Sequence, residues 1–159
     1  MTVFHDGPIE GVIWKSLNRF HDARGWLCEL YRNDEVEEIY RPVMAYISLT
    51  NPGIARGPHE HADQADYFCF LGPGNFKVYL WDNRSSSPTF RSRQTEVVGE
   101  ANPMALIIPA GVVHAYRNVG PGPGVVFNCP NRLFKGQGRT KPVDEIRHED
   151  KPNAPYLLD

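Results

Sequence analysis

Apolar residues occur along almost the whole chain in short runs separated by turn-forming residues. The runs are rich in Val, Ile, Tyr, Phe and Trp, which suit a pleated, half-buried surface. Fourteen glycines and fourteen prolines, spread through the sequence, separate the runs. This pattern is typical of many short strands joined by frequent turns. The predicted strands cover residues 12–17, 26–31, 44–50, 67–71, 75–81, 95–98, 105–108, 113–118 and 124–129.

Helical periodicity is nearly absent from the chain. Only residues 34–40, preceded by Asn33, predict a short helical turn, which Pro42 ends. The stretch Gly72–Asn75 predicts a hairpin turn, and Gly120–Gly124 predicts a longer turn. Antiparallel strands joined in this way close into a sandwich or barrel with a pocket at its mouth or in its interior. The predicted fold class is therefore all-β.

The length of the chain is typical of one domain. A chain of 159 residues buries enough surface to fold around one core without disulfides or metals. We therefore expect a single domain over residues 1–159, with its core from about residue 10 to about residue 135. Residues 139–159 are polar and contain prolines, which predicts a tail that packs against the barrel or a second subunit. Because partners commonly cover the edge strands of small barrels, we expect a homodimer.

Charge and cysteine content limit which classes of partner and which cellular compartment we expect for this protein. Seventeen basic and nineteen acidic residues give a formal charge of -2, without a block of like charges, so nucleic acid and membrane surfaces are not expected partners. Cys28, Cys69 and Cys129 are odd in number and lack CxxC spacing, which predicts reduced thiols in a cytoplasmic protein. The chain shows neither a signal peptide nor the roughly 20 apolar residues that a membrane span needs.

Two stretches, Arg56–His61 and Pro109–Asn118, concentrate the residues with catalytic or ligand-binding chemistry. His59 and His61 are two residues apart, so on a β-strand their side chains point to the same face. His114 follows a Pro-x-Gly turn in a second strand-like run. His5, His21 and His148 lie outside these stretches and are predicted to be exposed to solvent.

The order of these residues is similar to the paired motifs of the cupin superfamily. A narrower resemblance, to dTDP-4-dehydrorhamnose 3,5-epimerases, extends from about residue 10 to about residue 152. Its most specific part is Asp-Asn-Arg-Ser-Ser-Ser-Pro-Thr-Phe at residues 82–90, because generic cupins have no reason to carry it. The resemblance implies a cupin jelly-roll barrel. The segments that carry it, in family order, are 20–29, 56–59, 82–90, 108–111 with His114, and 144–150.

The resemblance also implies a function. It indicates an epimerase or isomerase of a dTDP-linked 4-keto-6-deoxyhexose that abstracts a proton next to the C4 ketone, in deoxysugar or surface-polysaccharide biosynthesis. It implies that Arg24 and Arg56 contact the diphosphate, Glu29 helps to hold the nucleoside, His114 lines the pocket, and His59 is the general base. A histidine supplies a base of near-neutral pKa, and an arginine offers a planar fork of donors to phosphate.

The chain departs from the family at two expected catalytic positions. The family has a lysine about ten residues after the base histidine, and the corresponding run here, Gln64–Phe68, contains none. The family also has a tyrosine two residues before a cysteine, where this chain has Phe127 before Cys129.

These departures leave three other interpretations open. In the related nucleotide-sugar 3,4-ketoisomerases, a run similar to Arg56–His61 supplies paired histidines, and Tyr67 or Tyr116 would then act as an acid or oxyanion donor. That mechanism needs no cofactor, and our first expectation is that the protein binds no cofactor. Alternatively, a divalent metal would be bound by three histidines and either Gln64 or Asp66. The third interpretation is a sugar-binding cupin without catalysis. The candidate metal ligands are His59, His61, Asp66 and His114.

Overall fold

The computed structural model describes residues 2–159 and shows thirteen strands with short 3-10 helices at Asn33–Glu35, Glu38–Tyr40 and Gln137–Arg139. The all-β prediction is confirmed. The strands are β1 (His5–Asp6), β2 (Ile13–Ser16), β3 (Arg19–Asp22), β4 (Gly25–Cys28), β5 (Tyr46–Thr50), β6 (Ala55–Glu60), β7 (Asp66–Phe70), β8 (Asn75–Asp82), β9 (Ser92–Gly99), β10 (Met104–Ile108), β11 (Val112–Asn118), β12 (Gly124–Asn128) and β13 (Ile146–Arg147).

Two sheets form the barrel. One has the order β1-β9-β8-β11-β6-β13 and the other β2-β10-β7-β12-β5, while β3 and β4 form a separate hairpin. The pairs are antiparallel except for β1 with β9. Apolar side chains from both sheets pack into one interior cluster, as expected for a jelly-roll barrel. The cluster includes Phe68, Phe70, Phe76, Leu80, Leu106 and Val126.

Every predicted strand overlaps an observed one, but β1, β3, β6 and β13 are absent from the predicted list. The most important of these is β6, whose polar sequence carries no apolar alternation and which pairs with β11 and β13. Gly57 makes the approach of β6 to β11 possible. Its φ is 83°, and a Cβ atom there would lie 2.5 Å from the carbonyl oxygen of His114. Only glycine fits this position.

The predicted helical turn over residues 34–40 is interrupted in the structure and forms two separate 3-10 helices. The backbone of Val36 is extended (φ -121°, ψ 130°), so two single-turn 3-10 helices replace one longer turn. Val36 is buried against Tyr67 and Leu17 on the outer face of the β7 sheet. Burial of this side chain accounts for the interruption.

The C-terminal tail packs against its own barrel. Strand β13 extends the six-stranded sheet beside β6, and Tyr156 packs on Trp81. The carbonyl oxygen of Asp159 accepts hydrogen bonds from Tyr79 Oη (2.7 Å) and from Arg117 Nη1 (2.9 Å). The tail therefore covers one face of the barrel and places residues 144–149 beside β6.

His148 does not lie on the surface as predicted. It is 8% exposed, and its Nε2 lies 2.8 Å from Oε1 of Glu60. The prediction was wrong because the tail folds over β6 and buries the outward-facing Glu60, which needs a partner. His5 and His21 are exposed as predicted.

The three cysteines are free thiols, and Cys69 is fully buried. Among residues 2–159, no helix has the length and apolar character to cross a membrane.

Candidate active site

Three histidines meet inside the barrel near one end of β6. His59 on β6 lies opposite His114 on β11 in the sheet register, and their ring centroids are 4.5 Å apart. His61 follows β6 directly, and its ring centroid lies 5.7 Å from those of both other rings. One nitrogen from each ring falls within 4.8 Å of the others. The predicted shared face of His59 and His61 is confirmed.

Asp66 also contacts this cluster. It is the first residue of β7, which belongs to the other sheet. Its Oδ1 accepts hydrogen bonds from Gln64 Nε2 and Asn128 Nδ2, both at 2.9 Å. Its Oδ2 lies 3.0 Å from Nε2 of His61 and 3.2 Å from Nε2 of His114. The Asp66 side chain is only 1% exposed. A buried carboxylate is therefore fixed between two imidazoles.

Backbone carbonyls fix the orientation of two of the rings. Nδ1 of His114 donates to the carbonyl oxygen of Val112 at 3.0 Å, and Nδ1 of His61 donates to that of Asp144. Both rings consequently turn Nε2 towards Asp66. The second ring nitrogen of a ligand histidine, when so bonded, sets the orientation of the other.

His59 and His61 have different protonation states at neutral pH, because their pKa values are shifted in opposite directions. Burial, and then the nearby His114 and His61, lower the pKa of His59 to about 2, so His59 is neutral. Burial alone would lower the pKa of His61, but the Asp66 carboxylate and the Asp144 carbonyl raise it to about 9. His61 is therefore an imidazolium at neutral pH. Adjacent groups with opposed pKa shifts are typical of acid–base sites.

Two carboxylates of the tail lie beside His59. Nδ1 of His59 is 3.9 Å from Oε1 of Glu145 and 4.0 Å from Oε1 of Glu149. Residues 144–149 contain three carboxylates, and the local sequence does not distinguish the ones that contact His59. The antiparallel pairing of β13 with β6, which sets Arg147 opposite His59, brings these two carboxylates to the base.

The histidine cluster also has the donor set of a metal site. Oδ2 of Asp66 and Nε2 of His114 are buried and 3.2 Å apart, and neither has a partner beyond this cluster within residues 2–159. Three imidazole nitrogens and one carboxylate oxygen suit divalent Zn, Fe, Mn or Ni. The carbonyls of Val112 and Asp144 would hold two of the rings in place. The residues therefore fit a divalent cation.

Two tyrosines reach the interior beside the cluster. Tyr116, two residues after His114 on β11, is buried among Phe68, Phe70 and Phe76, and its Oη lies 3.2 Å from Oγ of Ser48.

Tyr46 on β5 was not among the predicted site residues. Its Oη accepts a hydrogen bond from Asn128 Nδ2 at 2.9 Å, and burial raises the pKa of Tyr46 to about 12. Nothing in the sequence around Tyr46 signals this role. The pairing of β5 with β12, which sets Tyr46 opposite Asn128, creates it.

A cavity of about 640 Å³ opens next to His61. Tyr46, Gln64 and Glu145 line it on the side of the histidine cluster, and residues of the segment 130–144 line the other side. The volume lies in the range of pockets that hold small-molecule ligands. Of the three clustered histidines, His61 is the one that lines this ligand-sized cavity.

The family model described as dTDP-4-dehydrorhamnose 3,5-epimerase matches residues 6–144. The chain belongs to this family. The probable low-salt glycan biosynthesis epimerase of Haloferax volcanii is 36% identical over 114 residues, covering 71% of this chain and 72% of the relative. The spore coat polysaccharide biosynthesis protein SpsL of Bacillus subtilis is 38% identical over 115 residues, covering 72% and 75%. The expected family is confirmed.

A solved structure supports the fold. The dTDP sugar isomerase from Desulfovibrio desulfuricans superposes with a TM-score of 0.79 at 24% identity, covering 94% of this chain and 91% of the other. The expected barrel fold is confirmed by this likeness.

The run Gln64–Phe68, where the resemblance leads us to expect a lysine, carries Asp66 instead. Asp66 lies 3.0 Å from Nε2 of His61, and the two side chains form a buried ion pair without net charge.

Tyr67 and Phe127 do not face the histidines. Strand β7 alternates, so Asp66 and Phe68 point inward while Tyr67 points to the outer face, where its hydroxyl donates to the carbonyl oxygen of Leu30 at 2.8 Å. The prediction that Tyr67 acts as the acid is therefore wrong. Phe127 packs on the same outer face, in register with Cys69. A tyrosine at position 127 in this structure would also face away from the cluster.

The two arginines expected at the diphosphate lie in different places. Arg56 is on β6, three residues before His59, where it donates to Thr50 Oγ1 and to the carbonyl oxygen of Leu49, both at 2.9 Å. Arg24 is at the turn of the β3–β4 hairpin with an 87% exposed side chain and pairs with Asp22. Glu29 follows β4 and lies 3.5 Å from Arg32. The structure does not bring Arg24 or Glu29 to the histidine cluster within residues 2–159.

Proposed function

We propose that the protein epimerises a dTDP-linked 4-keto-6-deoxyhexose by proton abstraction next to the C4 ketone, in deoxysugar or surface-polysaccharide biosynthesis. The family model supports this substrate class. The relatives, named for glycan and spore coat polysaccharide biosynthesis, support the biological setting. The observation that carries the proposal is the buried contact of His59 with His61, whose ring centroids are 5.7 Å apart, with two carboxylates beside His59 and with His61 lining the cavity.

His59 acts as the general base in this scheme. Its imidazole is neutral before reaction, but burial lowers its pKa to about 2, well below the near-neutral value expected from the sequence. Its role as base therefore depends on the groups that stabilise its protonated form. Proton capture creates an imidazolium in a buried site. The carboxylates of Glu145 and Glu149, 3.9 Å and 4.0 Å from Nδ1, stabilise that charge as it forms.

His61 stabilises the enolate. Removal of the proton develops negative charge on the C4 oxygen, and a preorganised positive group in a site with little water lowers the energy of that state. His61 is held by Asp66 and by the carbonyl oxygen of Asp144.

Inversion requires that a proton return from the opposite face of the sugar. Tyr46 is assigned this role because its hydroxyl lies at the cavity and stays protonated at a pKa of about 12. Tyr116 is the second candidate, with its hydroxyl deeper in the barrel beside Ser48.

The test is solvent exchange. Incubation of the protein with dTDP-4-keto-6-deoxyglucose in deuterated water should place deuterium at C3 or C5 of the sugar, read by NMR and mass spectrometry. A ketone that moves from C4 to C3 would instead indicate a 3,4-ketoisomerase. Absence of exchange, with intact binding of dTDP, would contradict catalysis and favour a sugar-binding protein.

Metal content is a separate prediction at the same centre. When bound, a divalent cation held by His59, His61, His114 and Asp66 supplies a Lewis acid for the enolate oxygen. Elemental analysis of untagged protein, before and after soaking with Zn²⁺ or Mn²⁺, should give about one ion per chain if this site is used. His114→Ala should remove the ion. A wild-type content near zero after soaking leaves the metal-free scheme, in which no cofactor takes part.

We also propose that the protein is a cytoplasmic homodimer. The free cysteines support the compartment. Exposed apolar side chains on the β3–β4 hairpin and on β5, including Trp26 (50%), Leu27 (59%), Ile47 (60%) and Leu49 (58%), support the dimer. Light scattering should give twice the 18.0 kDa chain mass, and Leu49→Glu should shift it towards the monomer. A monomeric wild-type protein at micromolar concentration would contradict this.

A further inference from the structure

A buried carboxylate that the reaction scheme does not use lies directly behind the histidine cluster. Glu60 stands between His59 and His61 in the chain, so strand alternation turns its side chain away from those two rings. Its Oε1 accepts a hydrogen bond from Asn83 Nδ2 at 2.9 Å and lies 2.8 Å from Nε2 of His148. Glu60 and His148 are only 6% and 8% exposed. The tail therefore supplies a hydrogen-bond partner to a buried carboxylate of β6.

Backbone hydrogen bonds join the same segment of the tail to β6. The amides of His148 and Glu149 both donate to the carbonyl oxygen of Pro58, at 2.9 and 3.1 Å. These bonds continue the antiparallel pairing of β13 with β6. The ring of Tyr156 packs on His148, with the centroids 4.7 Å apart. The segment is thus held to β6 by its backbone and by the His148 side chain.

The two carboxylates beside the base belong to this segment. Glu149 follows His148 directly, and Glu145 lies four positions before Glu149. Both carboxylates lie within 4.0 Å of Nδ1 of His59. Within residues 2–159, the other basic group within 4.0 Å of these carboxylates is Arg147, which is itself part of the tail. The register of the tail on β6 therefore sets the distance of both carboxylates from His59.

A hydrogen-bonded carboxylate fixes a register more strictly than apolar packing does. An apolar contact loses little when two segments slide by one residue, because hydrophobic burial has no direction. A one-residue slip of the tail would leave the buried Glu60 without its bond to His148, and an unsatisfied buried polar group is costly. The same slip would move Glu149 away from His59.

We propose that Glu60 and His148 are positioning residues for the reaction. Their buried hydrogen bond fixes the register of the tail on β6 and thereby holds Glu145 and Glu149 beside the base. The role rests on the proposed function, in which those carboxylates stabilise the protonated form of His59. Neither positioning residue lines the cavity, so their effect reaches the sugar only through the base.

The first measurement is the rate of solvent deuterium exchange into dTDP-4-keto-6-deoxyglucose by the intact chain. His148→Leu removes the donor to Glu60 and should lower kcat about 10²-fold, because a misplacement of about 1 Å has an effect of this size. The affinity for dTDP should not change. His148→Gln, whose amide can donate to Glu60, should recover most of the lost kcat. Leu157→Gln, at a 74% exposed position of the same tail, should match the wild type.

A combined variant separates positioning from a general loss of stability. In a Glu145→Gln/Glu149→Gln background, His148→Leu should lower kcat no further, because the groups that it displaces no longer carry charge. An equal fold-loss in both backgrounds would overturn the assignment, since a destabilised fold lowers the rate whether or not the carboxylates are charged. A wild-type kcat for His148→Leu alone would overturn it as well.

Amide hydrogen exchange tests the register of the tail without any sugar. Residues 144–150 should exchange faster in His148→Leu than in the wild type, while β8 and β11 keep their protection. Unchanged protection of residues 144–150 would contradict the register role. A wild-type chain that places no deuterium in the sugar would overturn the proposed function and the catalytic part of the role together. Faster amide exchange in the variant would then still assign the register of the tail to Glu60 and His148.

Discussion

Replacement of His59 by asparagine is expected to lower the rate of solvent deuterium exchange into the keto-sugar by about 10²- to 10⁴-fold. Asparagine keeps a polar side chain of similar size but cannot accept the proton. The loss should appear in kcat, while dTDP affinity stays near the wild-type value, because His59 is assigned to the sugar carbon and not to the nucleotide. NMR exchange kinetics and calorimetric titration measure the two quantities.

The matched control is His5→Asn, since His5 is an exposed histidine on β1, away from the site. It should exchange at the wild-type rate. Exchange by His59→Asn at the wild-type rate would remove His59 from the role of base. His61 would not inherit that role, because it is held protonated between Asp66 and the carbonyl oxygen of Asp144.

Replacement of Asp66 by asparagine is expected to damage both stability and catalysis. The Asp66 carboxylate accepts two hydrogen bonds and faces two imidazole nitrogens while fully buried. Removing one partner of a buried charged pair costs about 3 to 5 kcal/mol. Without the carboxylate, burial should leave His61 neutral, and the lost enolate stabilisation should slow exchange by about 10²- to 10³-fold.

Urea unfolding and the exchange assay measure these two effects. The control is Asp34→Asn, whose exposed pair with Arg32 should contribute no more than about 1 kcal/mol to the free energy of unfolding. An Asp66→Asn protein whose free energy of unfolding matches that of the control would show that the buried carboxylate is not structurally coupled to the histidines. Retained exchange would show that the charge of His61 is not needed.

Much of the barrel follows from local patterning, and β6 shows where patterning ends. Strands such as β8 and β11 can be predicted from their runs of aromatic and β-branched residues, because those side chains fill the interior. Strand β6 is a polar segment with a glycine and a proline, and it is a strand only because β11 and β13 supply hydrogen-bond partners on both sides. Pairing partners distant in sequence are not visible in a local pattern.

The assignment of side chains to faces shows a second limit. All five residues of β7 are buried, so hydrophobicity does not distinguish its two faces. From the sequence, the side chain of either Asp66 or Tyr67 could therefore face the site. The packing of β7 between β10 and β12 places Asp66 beside the histidines and turns Tyr67 to the outer face.

The sequence by itself determined the family, the all-β class and the gathering of His59, His61 and His114. These follow from motif spacing and from the period of two along a strand, which are properties of neighbouring residues. Only the tertiary structure decided which carboxylates meet the base, that Asp66 lies between His61 and His114, and that Tyr46 reaches the cavity. Each of these depends on contacts between segments far apart in the chain, and sheet pairing and the folding of the tail over β6 set those contacts.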